Sequence, residues 1–238
     1  MASVLITGGT GMVGSLITST LRNSSPAHIS TIDILSRRPP PAETSPGITF
    51  RAFSEKDTTK WPGHIKSISP PPSIYFSALA TTRANAGGFE QQYKLEHDFN
   101  LELAKAAKEC GVKTYVLISG ANANAQSSFG YIRMKGEIEE FVKAQDYDHT
   151  IIIRPGLIAG TREESRPAEA ALRGVAALAG RISTHWLKDF WAQDADVIAK
   201  AAVSAALKAE NGELKDKVFV MGAKEIIEYG RTNWVDLK

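Results

Sequence analysis

The stretch Val4-Leu5-Ile6-Thr7-Gly8-Gly9-Thr10-Gly11-Met12-Val13-Gly14 decides the fold. A short apolar run leads straight into glycines at 8, 11 and 14, after which Leu16, Ile17 and Leu21 recur at helical spacing. This predicts a strand, a glycine loop and a helix. The three glycines serve different ends. One permits the tight turn, one lets backbone N–H groups approach a pyrophosphate, and one lets helix and strand pack closely. The helix N-terminus then favours anionic phosphates. Gly8, Thr10, Gly11, Met12, Val13 and Gly14 are therefore expected along a dinucleotide, the alternative being a plain strand-to-helix turn that has lost its ligand.

The same alternation continues outward. Strands are predicted over Ile29–Leu35, Ile48–Phe53, Ser73–Leu79, Thr114–Ser119, Thr150–Ile153 and Val218–Met221. Helices are predicted over Gln91–Cys110, Tyr131–Ala144 and Ala195–Ala209. In the first of these Leu95, Phe99, Leu103, Ala106 and Cys110 share one face, and Gly111 closes it as a C-terminal cap. Residues 54–72, ending in Pro70-Pro71-Pro72, read as a surface connection with at most one short helix around Trp61. Strands alternating with helices at this pitch indicate an α/β fold, a Rossmann-like doubly wound parallel sheet covered on both faces. No repeat or long linker divides the chain, so 1–238 reads as a single domain whose part from about 155 forms the substrate side.

Composition agrees. At 238 residues and 43% hydrophobic the chain can bury one sizeable core. Lys+Arg 28 against Asp+Glu 26 is too even for a nucleic-acid footprint. The single cysteine, Cys110, has no internal partner, pointing to a reducing compartment, and its apolar neighbours make it a small buried hydrophobe. No run approaches the ~18 apolar residues that span a bilayer. The glycine loop begins so early that no removable presequence is expected. The five histidines are scattered without an H-x-x-x-H, so no metal site is expected.

The end of the second strand bears on which dinucleotide is bound. Asp33 lies near the distance from Gly14 at which a carboxylate would accept from a ribose hydroxyl, which argues for NAD. It sits inside the apolar run, however, whereas Ser36-Arg37-Arg38 stands at the strand exit, where guanidinium groups suit a 2′-phosphate. The expectation is NADP(H), held by Ser36, Arg37 and Arg38; the bland alternative is a solvated pair of loop charges.

Tyr131-Ile132-Arg133-Met134-Lys135 puts a tyrosine and a lysine one helical turn apart, and Ser119 ends the preceding strand. A phenol of pKa about 10 is a poor base at neutral pH, but a neighbouring ammonium stabilises the phenolate. A serine hydroxyl can hold a substrate oxygen in line. Ser119, Tyr131 and Lys135 are the expected catalytic set. Packing of Tyr131 and solvation of Lys135 is the alternative.

The glycine loop, Tyr131/Lys135 and Arg154-Pro155-Gly156 together resemble the atypical short-chain dehydrogenases/reductases. Further stretches resemble the fungal "found in mitochondrial proteome" protein family, related to the Tat-interacting oxidoreductase-like protein of animals. They are Ala78-Leu79-Ala80-Thr81-Thr82-Arg83-Ala84-Asn85-Ala86-Gly87-Gly88, Gln92-Tyr93-Lys94, His97-Asp98, Phe129-Gly130-Tyr131 and Met134-Lys135-Gly136-Glu137. The resemblance runs from about residue 4 to 225. It implies a Rossmann-like fold, NADP(H) binding and peripheral attachment to the cytosolic face of the mitochondrial outer membrane, with the cytosol as the alternative. It also implies Gly8, Gly11 and Gly14 at the pyrophosphate and Arg37 at the 2′-phosphate. Ala78, Leu79, Ala80 and Thr81 would line the path between adenine and nicotinamide. Tyr131 and Lys135 match the active pair, and Pro155, Gly156 and Leu157 lie near the nicotinamide. One departure stands out: such relatives generally carry two serines where this chain has Ser119-Gly120, with Ser127 and Ser128 as reserves.

Three functions follow as expectations. One is an NADPH-dependent oxidoreductase acting on a carbonyl or related small apolar substrate. The second is an NADP(H)-sensing protein of weak activity that regulates a partner at the mitochondrial surface, and the third an epimerase or dehydratase that recycles its cofactor. A homo-oligomer fits each. Asn100 reads as a surface polar residue, the alternative being a place near the start of the active-site helix. Thr184-His185-Trp186-Leu187-Lys188-Asp189-Phe190-Trp191 reads as a substrate-covering loop, an interfacial membrane contact or core packing. Ile226, Ile227, Tyr229, Trp234 and Leu237 read as a docked amphipathic tail.

Overall fold

A computed structural model describes residues 1–24, 27–40, 45–159, 189 and 191–235. The predicted opening unit forms as β1 (Ala2–Thr7) and α1 (Met12–Arg22), followed by β2 (Ile29–Ser36) and β3 (Thr49–Ser54). Next come α2 (Trp61–Ser67), β4 (Ile74–Ser77), α3 (Arg83–Ala86), α4 (Phe89–Tyr93), α5 (Phe99–Cys110), β5 (Thr114–Ile118) and α6 (Gly130–Ala144). The described chain ends with β6 (His149–Ile153), β7 (Leu157–Ala159), β8 (Ala192–Asp194), α7 (Ala195–Glu210), β9 (Val218–Met221) and α8 (Ala223–Ile227).

Seven strands form one sheet in the order β3-β2-β1-β4-β5-β6-β9, and every pairing in it is parallel. The chain runs outward from β1 through β2 to β3, then crosses back to lay β4 on the other side of β1. The loops after β1 and β4 therefore leave in opposite directions, which opens a crevice at the carboxyl edge of the sheet. A second, two-stranded parallel pair joins β7 to β8.

Parallel strands bury both faces, so they read as continuous apolar runs; β4, Ile74-Tyr75-Phe76-Ser77, is buried throughout. Alternate strand residues feed two cores. Val4, Ile6, Ile32, Ile34, Phe76, Ile151 and Ile153 pack with α1 and the alanine-rich α7. Leu5, Leu35, Tyr75, Tyr115 and Leu117 pack on the opposite face with α2, α5 and α6. Each such side chain, fully buried, contributes roughly 1.5–3 kcal/mol. The doubly wound single domain expected from the alternation is what forms.

The helix predicted over Gln91–Cys110 departs from expectation. Helix starts earlier, at Phe89, and a π-helical turn over Lys94–Asp98 separates α4 from α5. That turn rotates the face: Leu95, predicted inside, is 44% exposed, while Glu96 is wholly buried. Asn100, read as a surface residue, is also buried, with Ser77 Oγ donating to its Oδ1 at 2.6 Å. Cys110 is only part-buried, its Sγ donating to the Ile65 carbonyl at 3.1 Å, and burial pushes its thiol pKa up. Ile226 of the predicted tail is buried, and Phe219 meets Tyr229 with ring centroids 5.5 Å apart. Leu237 lies outside the described residues, as does the 184–191 segment except for Asp189 and Trp191.

Candidate active site

Because the strands are parallel, the segments after β1, β2, β4, β5 and β6 all leave from one edge of the sheet. Those segments carry Gly8–Gly14, Arg37–Arg38, Ala78–Thr81, Ser119–Gly120 and Pro155–Leu157, nearly every position singled out in the sequence.

The glycine loop is built for close approach. Gly8 adopts φ +76, the left-handed region that favours glycine. Its carbonyl accepts from Gly11 N at 2.8 Å. A side chain at Gly8 would run into the backbone of Ala78 and Leu79, and one at Gly14 into the Gly8 carbonyl. Gly14 thus seats α1 on the loop, while Thr10 and Gly11 lie exposed at its tip. Gly11 has extended backbone as the helix N-cap and makes no side-chain cap bond, so the α1 N-terminus faces the crevice in the manner that binds phosphates. Met12 is part-buried and Val13 buried beneath it. The residues present fit a dinucleotide pyrophosphate.

Asp33 stands midway along β2, not at its exit. It is buried, in register with Arg51 on β3, and accepts from that guanidinium at 2.6 and 2.8 Å. The hydrogen bond to Asp33 raises the Arg51 pKa against the opposing effect of burial. Asp33 is a cross-strand structural ion pair. At the strand exit Ser36 Oγ donates to the Arg38 carbonyl at 2.6 Å, turning the chain so that Arg37 and Arg38 emerge exposed.

Tyr131 and Lys135 lie one turn apart near the start of α6, the tyrosine 47% exposed and the lysine buried. Lys135 Nζ stands 5.9 Å from the centroid of the Tyr131 ring and forms an ion pair with Glu96. Burial, the largest influence, pushes the Lys135 pKa down; Glu96, then Tyr131 and Glu139, outweigh it and leave the pKa raised. Glu96 Oε2 accepts from the Thr81 backbone N–H at 3.2 Å, and Gln92 Nε2 donates to the Thr81 carbonyl at 3.1 Å. A continuous path of contacts therefore runs from Gly8 to Ala78, along the chain to Thr81, then through Glu96 to Lys135 and Tyr131.

Ser119 is turned elsewhere. Its hydroxyl donates to Glu139 Oε1 at 2.6 Å, and Glu139 is clamped by the Arg154 guanidinium. The position beside the phenol is Gly120, where a side chain would start 3.6 Å from Tyr131 Oη. Of the two reserves, Ser127 Oγ accepts from Phe129 N at 3.1 Å and Ser128 is exposed. Pro155 and Gly156 are drawn toward β5 and β8: the Pro155 carbonyl accepts from Ala121 N at 2.8 Å, and Gly156 N donates to the buried Gln193 at 2.7 Å. A polar cavity lined by Asn122, Asn124, Glu140, Lys143 and Arg154 takes no residue from the loops after β1, β2 or β4.

Sequence inspection missed Glu96, Glu139 and Gln193, and gave Gln92 no role. A signal existed for two of them, since Gln92, Glu96 and Asn100 recur every four residues beside the apolar stripe. Among the described residues no cluster of three or more His, Cys, Asp or Glu is placed to hold a metal, and no helix is long and apolar enough to cross a membrane.

Comparison with known proteins agrees with this fold. Residues 4–222 match the model of the NAD dependent epimerase/dehydratase family. A protein of Aspergillus niger named "Protein fmp52, mitochondrial" is 56% identical over 235 residues, covering 97% of this chain and 99% of the relative. "Protein FMP52, mitochondrial" of Coccidioides immitis is 44% identical, with 98% of each chain covered. Among solved structures, MoeE5 in complex with UDP-glucose and NAD superposes with TM-score 0.63 at 16% identity, covering 97% of this chain and 81% of its own. The UDP-N-acetylglucosamine 4-epimerase of Methanobrevibacter ruminantium reaches TM-score 0.65 at 17% identity, covering 93% and 76%.

Proposed function

The chain belongs to the NAD dependent epimerase/dehydratase family, together with the fungal proteins named FMP52, and from that premise we propose that it is an NADP(H)-dependent oxidoreductase. Its substrate would be a carbonyl or related small apolar compound. The observation that carries this reading is the path of contacts linking the glycine loop to Lys135 and Tyr131. NADPH, when bound, supplies a hydride to a carbonyl carbon. The chain's own part is to give a proton to the oxygen. Tyr131 Oη, exposed beside Gly120, is the donor, and the Lys135 ammonium next to it stabilises the phenolate left behind. Gly8, Gly11 and Gly14 cradle the pyrophosphate with Thr10, Met12 and Val13. Ser36, Arg37 and Arg38 receive the 2′-phosphate. Ala78–Thr81 and Pro155–Leu157 flank the path between them. Ser119 acts through Glu139, by holding the loop that carries Gly120.

A second reading rests on that same Gly120. With no hydroxyl beside Tyr131 among the described residues to hold a substrate oxygen, the protein would bind NADP(H) and turn over slowly, serving as a cofactor-responsive partner of another protein. Peripheral attachment at the cytosolic face of the mitochondrial outer membrane fits either reading. Of that placement, the mitochondrial part is supported by the relatives' names.

The test mixes purified protein with NADPH and a panel of aldehydes and ketones and follows absorbance of the reduced cofactor. The oxidoreductase reading expects one NADPH consumed per product, with turnover lost in Tyr131→Phe. Tight binding with no oxidation supports the second reading, and product formed without net cofactor consumption points to an epimerase or dehydratase.

A further inference from the structure

The buried carboxylate of Glu96 belongs to no part of the expected Tyr–Lys–Ser set, yet it makes the closest charged contact in the site. It reaches that place only because of the π-helical turn over Lys94–Asp98, which points Glu96 inward and Leu95 outward. Single π turns of this kind recur at functional positions. Nothing in packing asks for a carboxylate there: isolated, its burial would cost several kcal/mol. What offsets that cost is the Lys135 ammonium paired with one oxygen, while the other accepts from the Thr81 N–H at 3.2 Å and from Gln92 Nε2 at 3.4 Å.

We infer that Glu96 is a positioning residue for the Tyr131–Lys135 pair, supplying the counter-charge of the buried ammonium and fixing it to the backbone of the Thr81 loop. The inference rests on the reading of Tyr131 and Lys135 as the acid–base pair. The groups facing the ammonium are Glu96 from the π turn and Tyr131 and Glu139 from its own helix. Glu139 is already clamped by Arg154. The neighbouring Tyr93, His97, Asp98, Arg133 and Glu137 pair among themselves on the outer side of the same segments. Among the described residues Glu96 is thus the one carboxylate paired directly with the ammonium. Its second oxygen ties that ammonium to Thr81, so movement of the crevice loop is felt at the acid–base pair.

Removing the charge while keeping the shape isolates the effect. In Glu96→Gln the amide oxygen still accepts from Thr81, but the pair loses its negative neighbour. A coupled pair stripped of a nearby negative charge gives up its first proton more readily, whichever member releases it. The experiment is a ¹³C NMR titration of the full chain labelled at tyrosine Cζ and lysine Cε, with signals assigned through Tyr131→Phe and Lys135→Arg. The first titration step of the pair is expected to fall by about one to three pH units in Glu96→Gln. Glu96→Asp, which keeps the charge on a shorter arm, should show a smaller fall and carries the test if the glutamine variant does not fold. A first step unchanged in the variants that fold overturns the proposal. The titration needs no turnover, so absence of NADPH oxidation would sink the oxidoreductase reading without touching this result.

Discussion

The hydroxyl of Ser119 donates to the buried carboxylate of Glu139 at 2.6 Å, joining the end of β5 to the middle of α6. Arg154 completes the junction from the end of β6, so three consecutive elements of the sheet edge are locked together behind the phenol of Tyr131. Ser119→Ala removes one of several bonds to Glu139 and should lower stability by about 1–2 kcal/mol. Measured by thermal unfolding, that is a fall of a few degrees, with kcat little changed. A loss of kcat matching that of Tyr131→Phe would return Ser119 to the chemistry.

Gly120 is not in the left-handed region, and among the described residues a side chain there meets only the Tyr131 ring, its Oη at 3.6 Å. Gly120→Ser should therefore fold and add a hydroxyl where a substrate oxygen would meet the phenol. Steady-state kinetics are expected to show a higher kcat with NADPH affinity unchanged. A lower kcat would mean that the open space beside the phenol is itself used by the substrate.

Asp33 and Arg51 supply stability rather than cofactor choice. Arg51→Ala leaves the buried Asp33 without its counter-charge and should cost about 3–5 kcal/mol in urea unfolding. The ratio of NADPH to NADH affinity should stay as it is, and a change in that ratio would place Asp33 in the ribose site.

Lys135 gives a pH dependence of known sign. Its pKa is raised in the folded protein, so the stability it adds is whole below the unfolded lysine value of about 10.4 and is lost as pH climbs through the folded value. The difference in unfolding free energy between the wild type and Lys135→Met should shrink in strongly alkaline solution. A difference that stays constant there would contradict the raised value.

Much of this architecture is legible in the sequence. The apolar run into Gly8, Gly11 and Gly14 identifies the first unit because its spacing serves one local geometry, and Tyr131 with Lys135 needs only helical periodicity. The π turn is not legible. An added residue in one turn leaves no mark on composition: the stripe Leu95, Phe99, Leu103 fits an ordinary helix, whereas in the structure Phe99 and Leu103 pack against the core and Leu95 does not. Ser119 is correctly expected at a strand end but given the wrong neighbour, because strand alternation alone does not say that Glu139 will meet it. Asp33 shows the reverse: its position inside an apolar run already argues against a role at the strand exit, and its partner Arg51 supplies the reason.

The claim on which the rest depends is that Arg37, exposed at the exit of β2, reads a 2′-phosphate at the crevice that Gly8 and Gly14 shape. Calorimetric titration of NADPH and NADH into the wild type and Arg37→Ala tests it most directly. The account predicts that wild type prefers NADPH, and that Arg37→Ala weakens NADPH by about tenfold or more, as loss of a charge-assisted contact of roughly 1.5–3 kcal/mol requires, while NADH hardly changes. Equal weakening of both cofactors, or a wild type that prefers NADH, would contradict it.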